Sequence, residues 1–359
     1  MTNRRLVIAG TGSSVGKTTV ALAIMAALQK KGFVVQGYKC GPDYIDPSYH
    51  TALTKRVSRN LDSWMLDEEM ILHIVDRTSN DADIAIIEGV MGLFDGKDPT
   101  SNVGSTAHIS AITRSPVLLV VDCAKMARSV AAIVKGFQTF ARDVHIVAVF
   151  ANRVGSERHF QLVQTAIETE CRLPVIGYFK AVDGVAFPES SFDPDIELTP
   201  VFEKFSETID VDKLVRLAVA EPLSIRKKES LFQRRADKKV TIAVAKDAAF
   251  HGYYEENVEL LESYGAEIVY FSPLNDEEVP QQTDGLYLGG RLSEPFVKRL
   301  SEQTIAKTSI REAIRRGVPT YAEGGGFIYL TETYERQDGK TYDMVGVIPG
   351  KIIETKQLT

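Results

Sequence analysis

The sequence predicts an α/β protein that begins with a doubly wound parallel sheet. Apolar runs of strand length alternate with segments of helical pattern, and the runs occupy residues 6–9, 33–38, 84–87, 117–121, 146–150 and 175–178. Polar residues follow several of these runs directly. Because ligands of such sheets gather at the carboxyl ends of the strands, the residues that follow each run are the candidates for function.

The second half of the chain repeats the α/β pattern after a polar interruption. Between residues 222 and 239 the apolar pattern gives way to Pro222 and clustered Arg and Lys residues, which is typical of a solvated linker. Strand patterns then occupy 240–245, 267–271, 285–290 and 318–323, with a helical pattern over 254–264. We therefore expect a first domain over 1–221, a linker over 222–239 and a second domain over 240–359.

Composition excludes several classes of protein. The 359 residues carry a formal net charge of −6, which argues against a nucleic-acid partner because the phosphate backbone requires a basic surface. No apolar run approaches the roughly 18 residues of a membrane span, and the first strand begins too early for a signal peptide. The three cysteines lack metal or disulfide spacing. We expect a cytoplasmic protein with no membrane partner.

A glycine-rich loop lies between the first strand and the first helix. It reads Gly-x5-Gly-Lys-Thr, and its candidate binding residues are Gly10, Gly12, Val15, Gly16, Lys17, Thr18 and Thr19. Backbone N–H groups of such a loop point at phosphates, the lysine reaches the β and γ oxygens, and the threonine hydroxyl can hold Mg²⁺. The loop therefore predicts a nucleoside triphosphate site that uses Mg²⁺.

Carboxylates follow the strand at 84–87. Glu88 stands where nucleotide-binding sheets place the acidic partner of the metal, so we predict that Glu88 and Thr18 hold Mg²⁺ together. Asp95 follows in a glycine-flanked loop, where it could assist the metal, orient the phosphate acceptor or cap a turn.

The stretch after the second strand, residues 39–50, is rich in polar side chains. Lys39 places a second ammonium beside that of Lys17, which suits an anionic acceptor such as a carboxylate. Asp43, Tyr44 and Asp46 could orient that acceptor by hydrogen bonds, although glycine and proline pairs in this stretch are also ordinary turn formers. We predict four catalytic residues, which are Lys17, Lys39, Asp43 and Asp95.

Three further polar residues are weaker candidates. His50 could serve in packing or hydrogen bonding. Asp122 and Asn152 end two later strands at the same edge of the sheet. Asn152 could read an adenine edge, although asparagine at a strand end is also a common turn residue.

Several motifs together resemble the cobyrinic acid a,c-diamide synthase family. They are the loop at 10–19 and the segments 39–50, 88–96, 104–108, 126–129 and 152–156. In that family a dethiobiotin-synthetase-like ATP domain precedes a class I glutamine amidotransferase domain, so the resemblance implies a second, flavodoxin-like α/β fold. It also implies a ligase of cobalamin biosynthesis: Mg-ATP phosphorylates the a and c carboxylates of a corrin ring, and ammonia converts each acyl phosphate to an amide.

The resemblance assigns roles to particular residues and names partners. It implies that Lys17, Thr18 and Glu88 bind ATP and magnesium and that Asn152 contacts the adenine. It also implies that Asp43, Tyr44 and Asp95 lie on the substrate side. The implied partners are a corrinoid and glutamine or ammonia, with a homodimer as in many members of the family. The segment 186–194 differs from the family's usual Pro-x-Arg-His-Leu-Gly motif. Substrate contacts from that loop therefore do not follow from the resemblance.

The second domain departs from the family at its nucleophile. The family carries a cysteine within Tyr-Ala-Glu-Cys-Gly-Gly, whereas this chain has Gly324 at that position. Because glycine has no side chain, it cannot form the thioester of glutamine hydrolysis. The sequence also stops at Thr359, before the family's histidine, so we expect an incomplete domain with no glutaminase activity. A natural paralogue, a disrupted gene product or an altered chain would each explain this.

Two other functions use the same loop. A P-loop switch ATPase dimerises on ATP without ligation, but such proteins usually open the loop with Lys-Gly-Gly, and this chain has Ala9 and Gly10 there. Alternatively, the same chemistry could act on another substrate, such as dethiobiotin's precursor, hydrogenobyrinic acid or nickel sirohydrochlorin. The altered second domain could also serve only as a binding or dimerisation module.

Overall fold

The computed structural model describes residues 4–181, 202, 206–225, 232–233, 237–292 and 296–355. The described residues up to 225 form one compact unit, and those from 232 onward form another. The domain limits inferred from the sequence stay predictions, because much of the linker lies outside the described residues. The departure at 186–194 lies outside them as well.

The first unit is built on a seven-stranded sheet in which every neighbouring pair is parallel. The spatial order is β3-β2-β4-β1-β5-β6-β7, so β1 lies at the centre. The strands are β1 Arg5–Gly10, β2 Val35–Cys40, β3 Arg59–Leu61, β4 Ile84–Glu88, β5 Val117–Asp122, β6 Ile146–Val154 and β7 Val175–Lys180. Every residue of β1, β2 and β4 is buried, as expected of a sheet covered on both faces.

Helices connect these strands. They are α1 Lys17–Lys30, α2 Asp46–Thr54, α3 Glu68–Ser79, α4 Thr106–Thr113, α5 Ser129–Phe140, α6 Glu157–Cys171 and α7 Val211–Leu217. Side chains cap four of these N-termini, because Asp67, Ser105, Ser156 and Asp210 each accept from the amide three residues on. The helix α1 begins instead after Gly16, whose lack of a side chain leaves the first N–H groups of the helix without a side-chain cap.

The second unit contains a smaller parallel sheet in the order β10-β8-β11-β13. In chain order this is 2-1-3-4, which matches the flavodoxin order as far as it extends. Its elements are β8 Val240–Ala245, β9 Phe250–His251, α8 Glu255–Ser263, β10 Ala266–Phe271, β11 Gly285–Leu288, β12 Arg291–Leu292, α9 Val297–Glu302, α10 Thr304–Arg315, β13 Thr320–Ala322 and α11 Gly325–Leu330.

A three-stranded sheet completes this unit. It consists of β14 Thr331–Glu335, β15 Thr341–Asp343 and β16 Ile348–Ile353, with β14 in the middle. Its buried residues join the core of the second unit, where Phe250 and Tyr329 meet edge to face at 5.2 Å. The sequence had not predicted these strands.

The fold class predicted from the sequence is confirmed: both units are α/β with parallel sheets. No helix within the described ranges is long and apolar enough to cross a bilayer. All three cysteines are buried and unpaired.

Two glycines of the first unit should respond oppositely to alanine. A methyl group at Gly177 in β7 would lie 2.8 Å from Cε2 of Phe150 and 2.9 Å from the Thr208 carbonyl, whereas one at Gly136 in α5 meets nothing within 4 Å. We expect Gly177→Ala to destabilise the unit by about 1–3 kcal/mol and Gly136→Ala to stabilise it by about 0.5–1 kcal/mol. Thermal melting of the two variants measures this, and equal shifts would contradict the packing described here.

Candidate functional site

The phosphate loop between β1 and α1 is closely packed around its glycines. Gly16 has φ +92°, a left-handed conformation that other residues rarely adopt, and a methyl group there would lie 2.2 Å from Nδ2 of Asn152. A methyl group at Gly10 would lie 2.6 Å from Cγ2 of Val15. The loop therefore requires glycine at both positions for steric reasons.

Side chains hold the loop from two directions. The Lys17 ammonium donates to the Gly12 carbonyl at 2.9 Å. From the end of β6, Nδ2 of Asn152 donates to the Val15 carbonyl at 2.7 Å, and the Arg153 guanidinium donates to the Ser14 carbonyl at 2.8 Å. Asn152 thus lies beside the loop and braces it, and its predicted contact with adenine stays a prediction.

The second part of the site is a buried ion pair between neighbouring strands. Lys39 of β2 and Glu88 of β4 are direct partners in the parallel register, so their side chains leave the sheet together. The Lys39 ammonium lies 2.9 Å from Oε1 of Glu88 and 2.5 Å from Oδ2 of Asp46, and it also donates to the Gly89 carbonyl. All three ammonium protons therefore have acceptors, and Lys39 organises the carboxylates around it.

The helix α2 presents two residues to this pair. Asp46 and His50 lie four positions apart on α2 and so share one helix face. Asp46 contacts Lys39, while Nε2 of His50 lies 2.7 Å from Oε2 of Glu88. The hydroxyl of Thr18 approaches from α1 and donates to Oε1 of Glu88 at 2.6 Å.

Charges in this cluster depend strongly on one another. Burial opposes the charged form of Lys39, but the carboxylates of Glu88, Asp46 and Asp43 outweigh it and raise the pKa of Lys39. Burial likewise favours neutral Glu88, but Lys39 and the hydrogen bonds from His50 and Thr18 hold its pKa below the ordinary value. Burial and the Glu88 charge raise the pKa of Asp46.

Burial, followed by repulsion from Lys39, lowers the pKa of Lys17. The charges of Lys17 and Lys39 therefore act on one another within the site. A ligand that brings negative charge between them would relieve this repulsion.

The oxygen atoms gathered here are of the kind that a magnesium ion binds. Oγ1 of Thr18 lies 2.6 Å from Oε1 of Glu88 and 3.4 Å from Oδ2 of Asp46, so three hard oxygen ligands converge. Among the described residues, no cluster of three or more His, Cys, Asp or Glu side chains could hold a metal ion by itself. Proteins commonly hold Mg²⁺ with one or two carboxylates and leave its other positions to phosphates and water.

The remaining predicted residues surround this cluster. Asp43 lies 3.8 Å from Lys39 and accepts the Ile45 amide at 2.8 Å, so it also shapes the turn into α2. Tyr44 is half-buried in the same turn. Asp95 is exposed and accepts the Gly92 amide at 2.8 Å. Their substrate roles stay predictions.

Two features of the site were not apparent from the sequence. Asp46 lies with Thr18 and Glu88, whereas the sequence placed it with the substrate. His50, which the sequence offered only as a weak candidate, contacts Glu88 directly. The spacing of four residues between Asp46 and His50 on a helix was the signal that could have joined them.

In the second unit, Gly324 forms a sharp elbow between β13 and α11. Its φ of +53° and ψ of −117° lie where a residue with a side chain is strained. At Gly326 a methyl group would lie 1.9 Å from the Leu288 carbonyl, so α11 begins in close contact with the end of β11. The turn therefore has a nucleophile-elbow shape without a nucleophile.

A backbone carbonyl occupies the space beside this elbow. The Gly325 amide donates to the Gly290 carbonyl at 2.8 Å. A side-chain Cβ at position 324 would lie 2.7 Å from that same carbonyl oxygen. The backbone N–H that follows the elbow thus has an internal acceptor.

Three aromatic side chains support the elbow. Tyr287 and Tyr321 both donate to the Glu323 carboxylate, at 2.5 and 3.1 Å. Tyr253 packs edge to face on Tyr287 at 5.1 Å and accepts from the Gly289 amide. This network fixes Glu323, the residue before Gly324.

A glycine-rich phosphate loop at the carboxyl edge of a parallel sheet, followed by an α/β unit with an elbow, defines a P-loop nucleotide-binding protein joined to a glutamine-amidotransferase-like domain. Two family models agree: a CobQ/CobB/MinD/ParA nucleotide binding domain matches residues 6–194, and a CobB/CobQ-like glutamine amidotransferase domain matches residues 241–359. The chain belongs to the cobyrinate a,c-diamide synthase family. The resemblance seen in the sequence is thereby confirmed.

Relatives of that name cover almost the whole chain. The chain is 56% identical over 366 residues to the cobyrinate a,c-diamide synthase of Priestia megaterium, covering 99% of this chain and 79% of that protein. It is 43% identical to those of Caldanaerobacter subterraneus subsp. tengcongensis and Thermoplasma volcanium, with the same coverage. Chloroplast FtsY from Physcomitrella patens overlaps with a TM-score of 0.38 at 14% identity, covering 60% of this chain and 65% of that one, which does not bear on function.

Replacing Asn152 by aspartate tests the bracing of the phosphate loop. The variant puts a carboxylate oxygen against the Val15 carbonyl where an amide N–H now donates, and we expect about tenfold weaker ATP binding because a buried acceptor loses its donor. Isothermal titration with ATP measures this. Asn80→Asp, an identical change at the exposed end of α3, is the matched control. Equal ATP affinity in the two variants would contradict the bracing role.

Proposed function

We propose that this chain is an ATP-dependent ligase that converts peripheral carboxylates of cobyrinate into amides. The observation that carries the proposal is the convergence of Thr18, Lys39, Asp46 and Glu88 beside the phosphate loop. Relatives named for this reaction cover 99% of the chain, which supports the choice of substrate. A nucleotide site alone would equally suit a switch ATPase.

The first step joins substrate and nucleotide. A carboxylate oxygen of the substrate attacks the γ-phosphorus of ATP, the bond to the β,γ-bridging oxygen breaks, and ADP leaves. Lys17 and the loop amides hold the phosphates, so the reaction depends mainly on position and charge. When bound, Mg²⁺ would neutralise phosphate charge, held by Thr18, Glu88 and Asp46. Lys39 keeps those two carboxylates in place.

The second step forms the amide. Ammonia attacks the carbonyl carbon of the acyl phosphate, phosphate leaves with the C–O electron pair, and the nitrogen loses a proton. Asp43, Tyr44 and Asp95 lie at the same sheet edge and are proposed to orient the substrate. Activation is required because a free carboxylate is a poor electrophile.

Free ammonia is the proposed nitrogen source. Gly324 offers no nucleophile at the elbow, and all three cysteines of the sequence lie in the first unit, where they are buried. The Gly290 carbonyl also takes the N–H that could otherwise stabilise an oxyanion. Glutamine hydrolysis by this chain therefore lacks its nucleophile, and one N–H beside the elbow already has an acceptor. The homodimer suggested by the family remains part of the proposal.

A comparison of nitrogen sources tests this function. With cobyrinate and ATP, we expect ammonium chloride to support one ADP per amide formed and glutamine to support neither product above background. Lys17→Met should abolish ADP formation because it removes a phosphate-binding cation. The measurements are coupled ADP detection and mass spectrometry of the corrinoid.

Three outcomes would contradict the proposal. Glutamate release from glutamine would show a working glutaminase. ATP hydrolysis that is independent of any tetrapyrrole and rises with self-association would favour the switch ATPase. Amidation of hydrogenobyrinic acid or nickel sirohydrochlorin in preference to cobyrinate would reassign the substrate.

A further inference from the structure

His50 is fully buried, and both nitrogens of its ring have partners. Nε2 lies 2.7 Å from Oε2 of Glu88, and Nδ1 lies 3.1 Å from the Ser58 hydroxyl, which is itself buried. A serine that donates to Nδ1 leaves the proton on Nε2, which then donates to the carboxylate. The ring therefore bridges Ser58 and Glu88.

The two oxygens of Glu88 serve different neighbours. Oε2 meets His50, whereas Oε1 meets the Thr18 hydroxyl at 2.6 Å and the Lys39 ammonium at 2.9 Å. Rotation of the carboxylate would exchange these roles, and the His50 contact opposes that rotation. Only Oε1 is thereby directed to the nucleotide side.

The fold provides space for this ring. A methyl group at Gly37 in β2 would lie 3.0 Å from Cβ of His50, so a larger residue there would displace the histidine. Thr54 donates to the His50 carbonyl at 2.8 Å, which fixes the helix backbone at this point. Backbone and ring are both constrained.

We propose that His50, oriented by Ser58, is a positioning residue that fixes the Glu88 carboxylate with Oε1 toward Thr18 and so sets the strength of magnesium-nucleotide binding. The inference rests on the proposed function only in taking Thr18 and Glu88 as the metal-side residues. Hydrogen bonds to a ligating carboxylate from outside commonly change metal affinity or activity by about 10–100-fold when lost. A residue that only filled space would have no such effect.

Two substitutions separate positioning from packing. In His50→Gln the side-chain amide nitrogen reaches the place of Nε2 and still donates to Glu88. In His50→Asn the amide reaches only the place of Nδ1, and Oε2 of Glu88 loses its donor. Both variants remove the ring, so packing losses are similar while the hydrogen bond differs.

The experiment measures binding of the non-hydrolysable analogue adenylyl imidodiphosphate to the whole chain, with and without Mg²⁺, by isothermal titration. We expect His50→Asn to lose about 10–100-fold of the magnesium-dependent tightening, with unchanged metal-free affinity. His50→Gln should retain the tightening to within about threefold, since its donor remains. His145→Asn, the same change at an exposed histidine before β6, should match the unaltered chain.

Ser58→Ala gives a second measurement that leaves His50 in place. We expect roughly a fivefold loss of the magnesium-dependent tightening, because the ring loses the hydrogen bond that orients it. This variant decides the question if neither His50 variant folds.

Several results would overturn the inference. They are magnesium-dependent tightening that is intact in His50→Asn, equal losses in His50→Asn and His50→Gln, or no effect of Ser58→Ala. Absence of such tightening in the unaltered chain would also overturn it. Failure of corrinoid amidation with intact magnesium-dependent binding would instead reject the proposed function and leave the role of His50 standing.

Discussion

The buried contact between Lys39 and Glu88 is the constraint on which the arrangement of the site depends. The parallel register of β2 and β4 places the two residues side by side, and neither side chain has more than slight access to solvent. Removing one partner of such a pair commonly costs about 3–5 kcal/mol, because an uncompensated charge remains buried. Asp46, Thr18 and His50 therefore gather around a pair that cannot separate without that cost.

Each unit has a glycine with a positive φ at its principal loop, but the residues around the two glycines differ. In the first, the left-handed Gly16 lets the loop pass against Asn152, and the resulting cradle is complete with its lysine and threonine. In the second, Gly324 preserves the strained turn of an elbow, but the side chain that such a turn would present is missing. In the second unit the backbone of an elbow thus accompanies a missing side chain, whereas the loop of the first unit carries its lysine and threonine.

The fold followed from the sequence wherever a strand was long and apolar. The runs at 84–87 and 240–245 correspond to β4 Ile84–Glu88 and β8 Val240–Ala245. The edge strand β3 Arg59–Leu61 was not predicted, because three residues that include Arg and Asn show no hydrophobic periodicity. The strands β14 and β15 were not predicted because each contains a single tyrosine among Thr, Glu and Asp residues. The strand β16 was not predicted because Pro349 and Gly350 interrupt its isoleucines, so pairing between strands decides the structure of this sheet.

The sequence by itself determined the phosphate loop and the absence of a nucleophile at Gly324, because these depend on residue type and local spacing. The metal-side role of Glu88 stays a prediction. Tertiary structure decided which carboxylates meet which cations. Asp46 lies beside Thr18, and His50 is the partner of Glu88, through contacts of α2 with α1 and β4, which are distant from it in sequence. Such contacts depend on strand register and helix placement, which no local pattern encodes.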